Sequence, residues 1–402
     1  MKAKLGAGLD ELHGKIANFC GKRVFGKQQL TRLSIPYGVN GGTPSETQLA
    51  IREKYGGIVE EWKNATEEQR ETWNAEGEKT GISGINYLIR LRWPAAPEPG
   101  LIWTLMQSLS GFDICNSIAD MGDGVLLAVG NSGGRLAKST DYGVTWAITQ
   151  PFSFSTIGRA VASLSGLDAL VAGDSEPYLW RTADAGASWT QEQAPNFGDA
   201  ANQMIAASAT LLFYATSYRP AVHYSVNAGV DWTEGPSLGA EDEASAVCYM
   251  GSGVVLAGTS PNAHIFRSTN NGVSYDDMGQ LGTAARVYAI VKVTDLIALA
   301  GTGPLGHVFR TLDGGLTWTD LGRLGAAEQV QAFSCAGSSF VVASTYPLAA
   351  LYRSSDNGAT WVFLMSLGSN SMCRALITTD ADIMLAGTGN SATIYRSLPS
   401  TP

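Results

Sequence analysis

No stretch of this 402-residue sequence approaches the roughly 18 consecutive apolar residues of a membrane-spanning helix, and the N-terminus has no apolar signal core. Neither a span nor export by the Sec route is expected, and the chain is read as made in a cytosol. Cysteine is scarce: Cys20, Cys115, Cys248, Cys335 and Cys373 form no C-x-x-C pair and no disulfide framework. Buried free thiols are the expectation. Only four histidines occur, and His223, His264 and His307 lack the spacing of a ligand set, which excludes an obvious zinc site. The sequence also has no phosphate-cradling loop, dinucleotide fingerprint or Ser-His-Asp pattern, so no cofactor is expected.

Charge is sparse too, at 16% of residues, with a net of −9. It is unevenly shared. Residues 1–100 carry 14 Lys/Arg against 12 Asp/Glu, and the remainder carries 13 against 24. The acidic larger part is a poor partner for nucleic acid, which selects a basic face. The first 35 residues are basic, with Lys2, Lys4, Lys15, Lys22, Arg23, Lys27 and Arg32 against Asp10 and Glu11. They suit either an acidic partner surface or plain solvation.

What the sequence does have is a repeat. Ser139, Thr182, Ser225, Ser268, Thr311, Ser354 and Ser397 follow one another at steps of 43 residues, without an insertion or deletion. Six of them open an octet with Asp or Asn third, Gly fifth and an aromatic residue last. The third positions are Asp141, Asp184, Asn227, Asn270, Asp313 and Asp356. The aromatics are Trp146, Trp189, Trp232, Tyr275, Trp318 and Trp361. A short acid or amide accepts hydrogen bonds from turn N–H groups, Gly supplies a left-handed residue, and the aromatic ring has the area to wedge against a neighbouring unit. Asn227 and Asn270 cannot act as general acid or base, so the octet reads as architectural.

A strand-rich period in the forties implies a propeller. The seventh octet ends before its aromatic residue, and one step back from Trp146 lies Trp103. Residues 101–107 therefore supply the outer strand of the last blade. The expectation is a mainly β chain with a seven-bladed β-propeller over 101–402, a small α+β domain over 1–92 and a Pro-rich linker over 93–100. Within each unit the order is inner strand, second strand, third strand, octet, outer strand. In the first blade these are about Asp113–Ala119, Val125–Gly130, Arg135–Ser139 and Thr145–Thr149.

The octet resembles the Asp-box, or BNR, repeat (Ser/Thr-x-Asp-x-Gly-x-Thr-Trp) of sialidase-like propellers, sortilin-type receptors and photosystem assembly factors. The resemblance implies the propeller fold over 101–402, on which enzymes, receptors and scaffolds all occur. Its sialidase branch would require an Arg-Ile-Pro element, three arginines, a Tyr-Glu pair and a further acid. No Arg-Ile-Pro occurs. Arg159, Arg286 and Arg374 could stand for the arginines, and Tyr288 could face Glu243 or Glu328. Uniformly short loops argue against the deep cleft that paired carboxylates need, and no enzymatic activity is expected.

The N-terminal part reads as a β-segment over Lys15–Phe25 and Gln28–Ile35. It continues as a helix with Ile51, Tyr55, Ile58 and Trp62 on one face, then a helix over Glu67–Glu78 opened by the capping box Thr66-Glu67-Glu68-Gln69 with Trp73 inward. A third short helix is expected near Ser83–Ile89. Residues 10–90, with Trp62-Lys63-Asn64-Ala65-Thr66 and Ser83-Gly84-Ile85-Asn86-Tyr87, resemble a small domain of phage and prophage structural proteins. That resemblance implies docking on other virion proteins, capsid or tail, in multiple copies. The propeller would then be displayed as decoration or as a module for host-surface glycan or protein. The alternative is an assembly or scaffolding factor of the photosystem-factor type, and the third reading a sialidase-like glycoside hydrolase.

One position, at the start of each inner strand, is polar in every blade: Asn116, Arg159, Asn202, Ser245, Tyr288, Gln331 and Arg374. Beside it lie Asp113, Asp199, Asp242, Glu243, Arg286 and Glu328. These residues are expected to ring the channel mouth and to suit sugar hydroxyls or carboxylates, although strand ends facing a water-filled channel are polar in any case. Asp174, Glu176, Tyr218, Arg219, Asn262 and Tyr346 are further candidates on the loops of that face.

Overall fold

A computed structural model describes residues 66, 67, 69–71, 74, 103–152, 158–173, 178–193, 200–336 and 339–397, and the backbone of 18–24 and 27–34. The chain divides into two compact units, one drawn from Met1–Glu98 and the other spanning Pro99–Leu398. In the first unit, strands Asn18–Val24 and Lys27–Ser34 pair antiparallel, with Val24 opposite Lys27. The expected capping box is present and reciprocal. Thr66 N donates to Gln69 Oε1 at 2.9 Å and Gln69 N to Thr66 Oγ1 at 3.2 Å, which satisfies two N–H groups that the first helical turn leaves open. The face with Ile51, Tyr55, Ile58 and Trp62, Trp73, the helix near Ser83, the linker 93–100 and the loop residues Asp174, Glu176 and Asp199 lie outside the described residues.

The second unit is a seven-bladed β-propeller, mainly β in content as expected. Seven antiparallel sheets follow one another, and the first blade consists of Ile114–Gly122, Val125–Asn131, Leu136–Ser139 and Ala147–Thr149 in spatial order. The last sheet takes three strands from the end of the chain and its outer strand from Trp103–Ser108, with Trp103 opposite Ser397. Closure leaves no blade face without a neighbour.

The octets work as their chemistry dictates. In the first, Ser139 Oγ donates to Asp141 Oδ1 at 2.8 Å, Thr145 N to the same oxygen at 2.9 Å, and Gly143 N to Ser139 Oγ at 2.9 Å. The two asparagines keep this frame, since Asp231 N donates to Asn227 Oδ1 at 2.8 Å and Ser274 N to Asn270 Oδ1 at 3.0 Å. Their second atom reverses the donor. The Thr145 hydroxyl donates to Asp141, whereas Asn227 Nδ2 donates to Asp231 Oδ2 and Asn270 Nδ2 to Ser274 Oγ. Gly143 does more than turn the chain at φ +82°, because a Cβ there would lie 2.2 Å from Leu385 of the preceding blade.

Each octet aromatic enters the apolar cluster between two blades. Trp146 packs with Leu126 and Leu385 between the first and last blades, and Trp103 with Leu351 and Tyr395 between the last two. Trp189, Trp232, Tyr275, Trp318 and Trp361 occupy the equivalent places in the other clusters. Ala-Gly-Thr steps in the second strands admit the next blade: a Cβ at Gly258 would sit 2.5 Å from Val287.

The third blade departs from the four-strand expectation. Its sheet has three strands, and the expected outer strand is reduced to isolated bridges of Tyr224 with Thr233 and Ala221 with Ser237. Glu234-Gly235-Pro236 explains the interruption, because Pro236 has no N–H to donate. Gly235 also lies flat against Val222, where a Cβ would be 1.9 Å from the carbonyl oxygen, and its N–H turns to the buried His223 Nδ1 at 3.1 Å.

Candidate functional site

The seven inner strands enclose a central channel of about 1270 Å³, and all seven polar ring residues line it. A shared backbone feature aims them inward. Pairing between inner and second strands slips at one shared place in every blade, between Cys115/Ser117, Gly158/Ala160, Ala201/Gln203, Ala244/Ala246, Val287/Ala289, Val330/Ala332 and Cys373/Ala375. The skipped residue is in each case the ring residue. A β-bulge leaves one residue out of the ladder and redirects its side chain. Polarity in the sequence marked the position; the bulge that explains it carries no composition signal.

The ring divides by what its members hold. Asn116 Nδ2 donates to Gly158 O at 3.0 Å, Asn202 Nδ2 to Ala244 O at 3.0 Å, and Ser245 Oγ to Val287 O at 2.7 Å. These three therefore stitch each inner strand to the next one. In the sixth blade Gln331 donates to Gln329 Oε1 instead, and the stitch passes to Ser344, whose hydroxyl donates to Cys373 O at 2.7 Å. Arg159, Tyr288 and Arg374 are of a different kind, carrying charge or a phenol into the channel.

Around them, Arg286 forms an ion pair with Glu243 and its guanidinium lies 5.3 Å from the centre of the Tyr288 ring. Asn202 Nδ2 also donates to Glu243 Oε2 at 3.0 Å. Enclosure by the channel walls, then repulsion from Arg159 and Arg286, lowers the Arg374 guanidinium from its ordinary value. Burial pushes the Tyr288 phenol up, against the pull of Arg286 and Arg374. Asp242, Glu243 and Arg286 line the channel, whereas Asp113 and Glu328 are not among its lining residues.

On the face where the inner strands begin, the loops between second and third strands expose Tyr218 (81%), Leu305 (50%) and Leu348 (60%). Tyr218 also lines the channel. Arg219 pairs with Glu234 at 3.6 Å, and Asn262 is held by Glu241 through two hydrogen bonds. Leu305 and Leu348 are not distinguished by polarity and escaped the sequence reading; their position after the prolines Pro304 and Pro347, at a loop tip, was the available signal.

The three described histidines are placed away from the channel. His223 is buried in the third blade, and His264 and His307 each face one aspartate across the outer strands, Asp277 and Asp320, with Nδ1–oxygen distances of 2.9 Å. Among the described residues no three metal-ligating side chains converge. Cys115, Cys248 and Cys373 are buried free thiols and Cys335 a partly buried one. Burial holds the Cys248, Cys335 and Cys373 thiols up at about 12.

The fold is that of a seven-bladed propeller, and similar solved structures are numerous. YCF48 bound to D1 peptide is 16% identical with a TM-score of 0.61, the match covering 74% of this chain and 96% of that one. A streptogramin B lyase is 12% identical with a TM-score of 0.63, covering 74% and 97%. The GH74 xyloglucanase from Xanthomonas campestris is 13% identical with a TM-score of 0.58; this chain covers 53% of its length and 73% of its own is matched. At these identities the likeness is one of fold. No family model matches the sequence, and no curated protein does.

Proposed function

We propose that the chain is a non-catalytic binding propeller that holds a polypeptide partner on its channel-mouth face, in an assembly or scaffolding role. The observation that carries this reading is the composition of that face. Exposed Tyr218, Leu305 and Leu348 rise beside a channel containing Arg159, Arg286, Tyr288 and Arg374. Aromatic and arginine anchors next to apolar side chains are the residue types on which protein interfaces concentrate their binding energy. A propeller of the same fold, YCF48, has been solved with a peptide bound, which supports a polypeptide over a sugar as the occupant.

Catalysis is disfavoured by the chemistry of the site. Burial pushes the Tyr288 phenol up, making it a hydrogen-bond donor rather than a nucleophile. Glu243, the acid whose charge bears on it, is engaged by Arg286 and Asn202. Display on a virion rests on residues 10–90, nearly all outside the described residues, and no described feature favours it over an assembly role.

A peptide array probed with the full chain tests the proposal. Peptides captured by the wild type are expected to be lost by Tyr218→Asp and by Leu305→Asp with Leu348→Asp. They should be retained by Leu296→Asp, which alters an exposed leucine on the opposite face. Loss on Leu296→Asp with retention by the other variants overturns the assignment of the face.

A further inference from the structure

The side chains at the second and sixth positions of the octet take no part in its fastening, which runs through the first, third, fifth and seventh. The fold leaves them free to be small or polar, as Ser355 and Ala359 are in the sixth octet. In the third to fifth octets they include instead Val226, Val230, Val273, Leu312 and Leu316, each more than half exposed. Leu296 joins this sector. Its carbonyl oxygen accepts the Gly314 N–H at 2.8 Å, which sets it against the fifth octet, and its side chain is 59% exposed. Single exposed aliphatic residues are ordinary, whereas six large ones on three consecutive blades of one face mark an interaction surface.

Charge and backbone chemistry select the occupant. The exposed charged residues in and beside these octets include Asp231, Asp276 and Asp295 and are all acids, whereas Arg267, Lys292 and Arg310 are half-buried. Lys292 pairs with Asp295 at 2.7 Å, and Arg267 Nε donates to Gly314 O at 2.9 Å. The acids oppose a second copy presenting the same face, an anionic membrane and a nucleic acid, and they attract a basic partner. The turn N–H groups are spent as well. Gly315 N donates to Thr311 Oγ1 at 2.9 Å, and Leu316 N and Thr317 N donate to Asp313 Oδ1 at 3.0 and 2.9 Å. An extended peptide would find no ladder edge here and would bury its own backbone unpaired, whereas a helix brings its backbone bonds with it. We propose that this sector docks an amphipathic basic helix of a protein partner. The apolar stripe of that helix lies on the valines and leucines, and its lysines or arginines face Asp231, Asp276 and Asp295. This second surface is independent of the mouth face and of the peptide assigned to it.

The full chain is titrated, by fluorescence anisotropy, into a labelled helical peptide of about 20 residues with leucines at i, i+3, i+4 and i+7 and lysines elsewhere. Two twins accompany it, one with glutamate for every lysine and one with the same composition in an order that has no apolar stripe. The lysine helix should saturate, and both twins should bind at least roughly tenfold more weakly. Leu312→Ser with Leu316→Ser should weaken the lysine helix by roughly ten- to hundredfold. Val273→Ser, on another octet, should act in the same direction, which keeps the test open should the leucine pair melt early. Asp276→Asn with Asp295→Asn should weaken binding by roughly threefold at low salt, with the difference gone at about 0.5 M salt. Tyr218→Asp, on the mouth face, should leave it unchanged. Equal binding of the lysine helix by wild type and by both aliphatic variants, absence of saturation, or equal binding of the glutamate twin overturns the inference. So does capture of the chain by phosphatidylcholine or phosphatidylglycerol vesicles when the helix is not bound, which assigns the sector to lipid. Array peptides shorter than about 12–15 residues hold no helix in water, so their capture through Tyr218 tests the mouth face separately and survives failure here.

Discussion

Arg396 Nε donates to the carbonyl oxygen of Tyr142 at 2.8 Å, joining the last blade to the octet of the first. Arg267 makes the same bond to Gly314 O at 2.9 Å, and Arg181 reaches Ala228 O. At these three places the arginine before the octet is a strap to the next blade. At Arg396 the strap crosses the seam where the two ends of the propeller meet, next to the pairing of Trp103 with Ser397. Backbone ladder, buried indole and side-chain strap hold the seam together.

Trp103→Ala should destabilise the propeller by about 3–5 kcal/mol, the usual cost of emptying a buried tryptophan site. Arg396→Gln should cost about 1–2 kcal/mol through one lost charge-assisted hydrogen bond. Equilibrium urea unfolding measures both. If Trp103→Ala is neutral, the strand it belongs to does not close the ring.

The two asparagine octets should respond differently to an acid. Asn227→Asp sets a carboxylate against the Asp231 carboxylate that Asn227 Nδ2 now approaches at 2.8 Å. It should destabilise by about 1–2 kcal/mol, with rescue by Asp231→Thr, which restores a hydroxyl donor. Asn270→Asp should be nearly neutral, because the Ser274 hydroxyl can turn from acceptor to donor. Thermal unfolding of the three variants is the check, and equal losses for the two single changes would count against the donor-reversal account.

His223 gives the fold an acid limit. Burial first, then the Arg219 charge, lowers its imidazole from 6.5 to about 4. A folded-state value below the unfolded one means that the neutral ring is favoured by folding. Its contribution is full above pH 6.5 and is lost as pH falls toward 4, by up to roughly 3 kcal/mol. The octet carboxylates act in a separate window. Asp184, Asp313 and Asp356 are held down near about 2, so their contribution is present above their ordinary 3.8 and fades only below it. For Asp184 the Ser188 hydroxyl is the leading cause; for Asp313 and Asp356 burial is the largest single effect and acts upward, and the hydrogen bonds from Thr317 and Thr311, or from Thr360 and Ser354, together with the turn N–H groups, outweigh it. His223→Asn, which keeps an acceptor for Gly235 N–H, should flatten the stability–pH curve between 6.5 and 4 and leave the lower limb intact. An unchanged upper limb would exclude His223 as its source.

The blade count and the seam were legible because a strict 43-residue step and one displaced tryptophan determine both. The channel ring was legible as well, since a polar residue at one phase of every inner strand stands out against alanine and valine neighbours. Its division was not. Whether Asn202 points at a ligand or at Ala244 O depends on a bulge and on the distance to the next blade, neither of which leaves a mark in composition. The outer strand of the third blade was missed for a similar reason. Pro236 and Gly235 were visible, but the spacing of Trp232 kept the repeat in phase and hid the loss of ladder bonds. The arginine strap was available as an Arg-Ser or Arg-Thr pair ahead of five octets, yet a charged residue beside a turn reads as solvated until its carbonyl partner is known.

Hydrogen–deuterium exchange on the full chain, with and without a peptide captured on the array, tests the binding reading most directly. The account predicts slowed exchange in the loops at Ser217–Tyr218 and Glu241–Glu243, around Arg286–Tyr288 and at Leu305 and Leu348, with the octets unchanged. Protection confined to the octet face, with those loops exchanging as before, would contradict it.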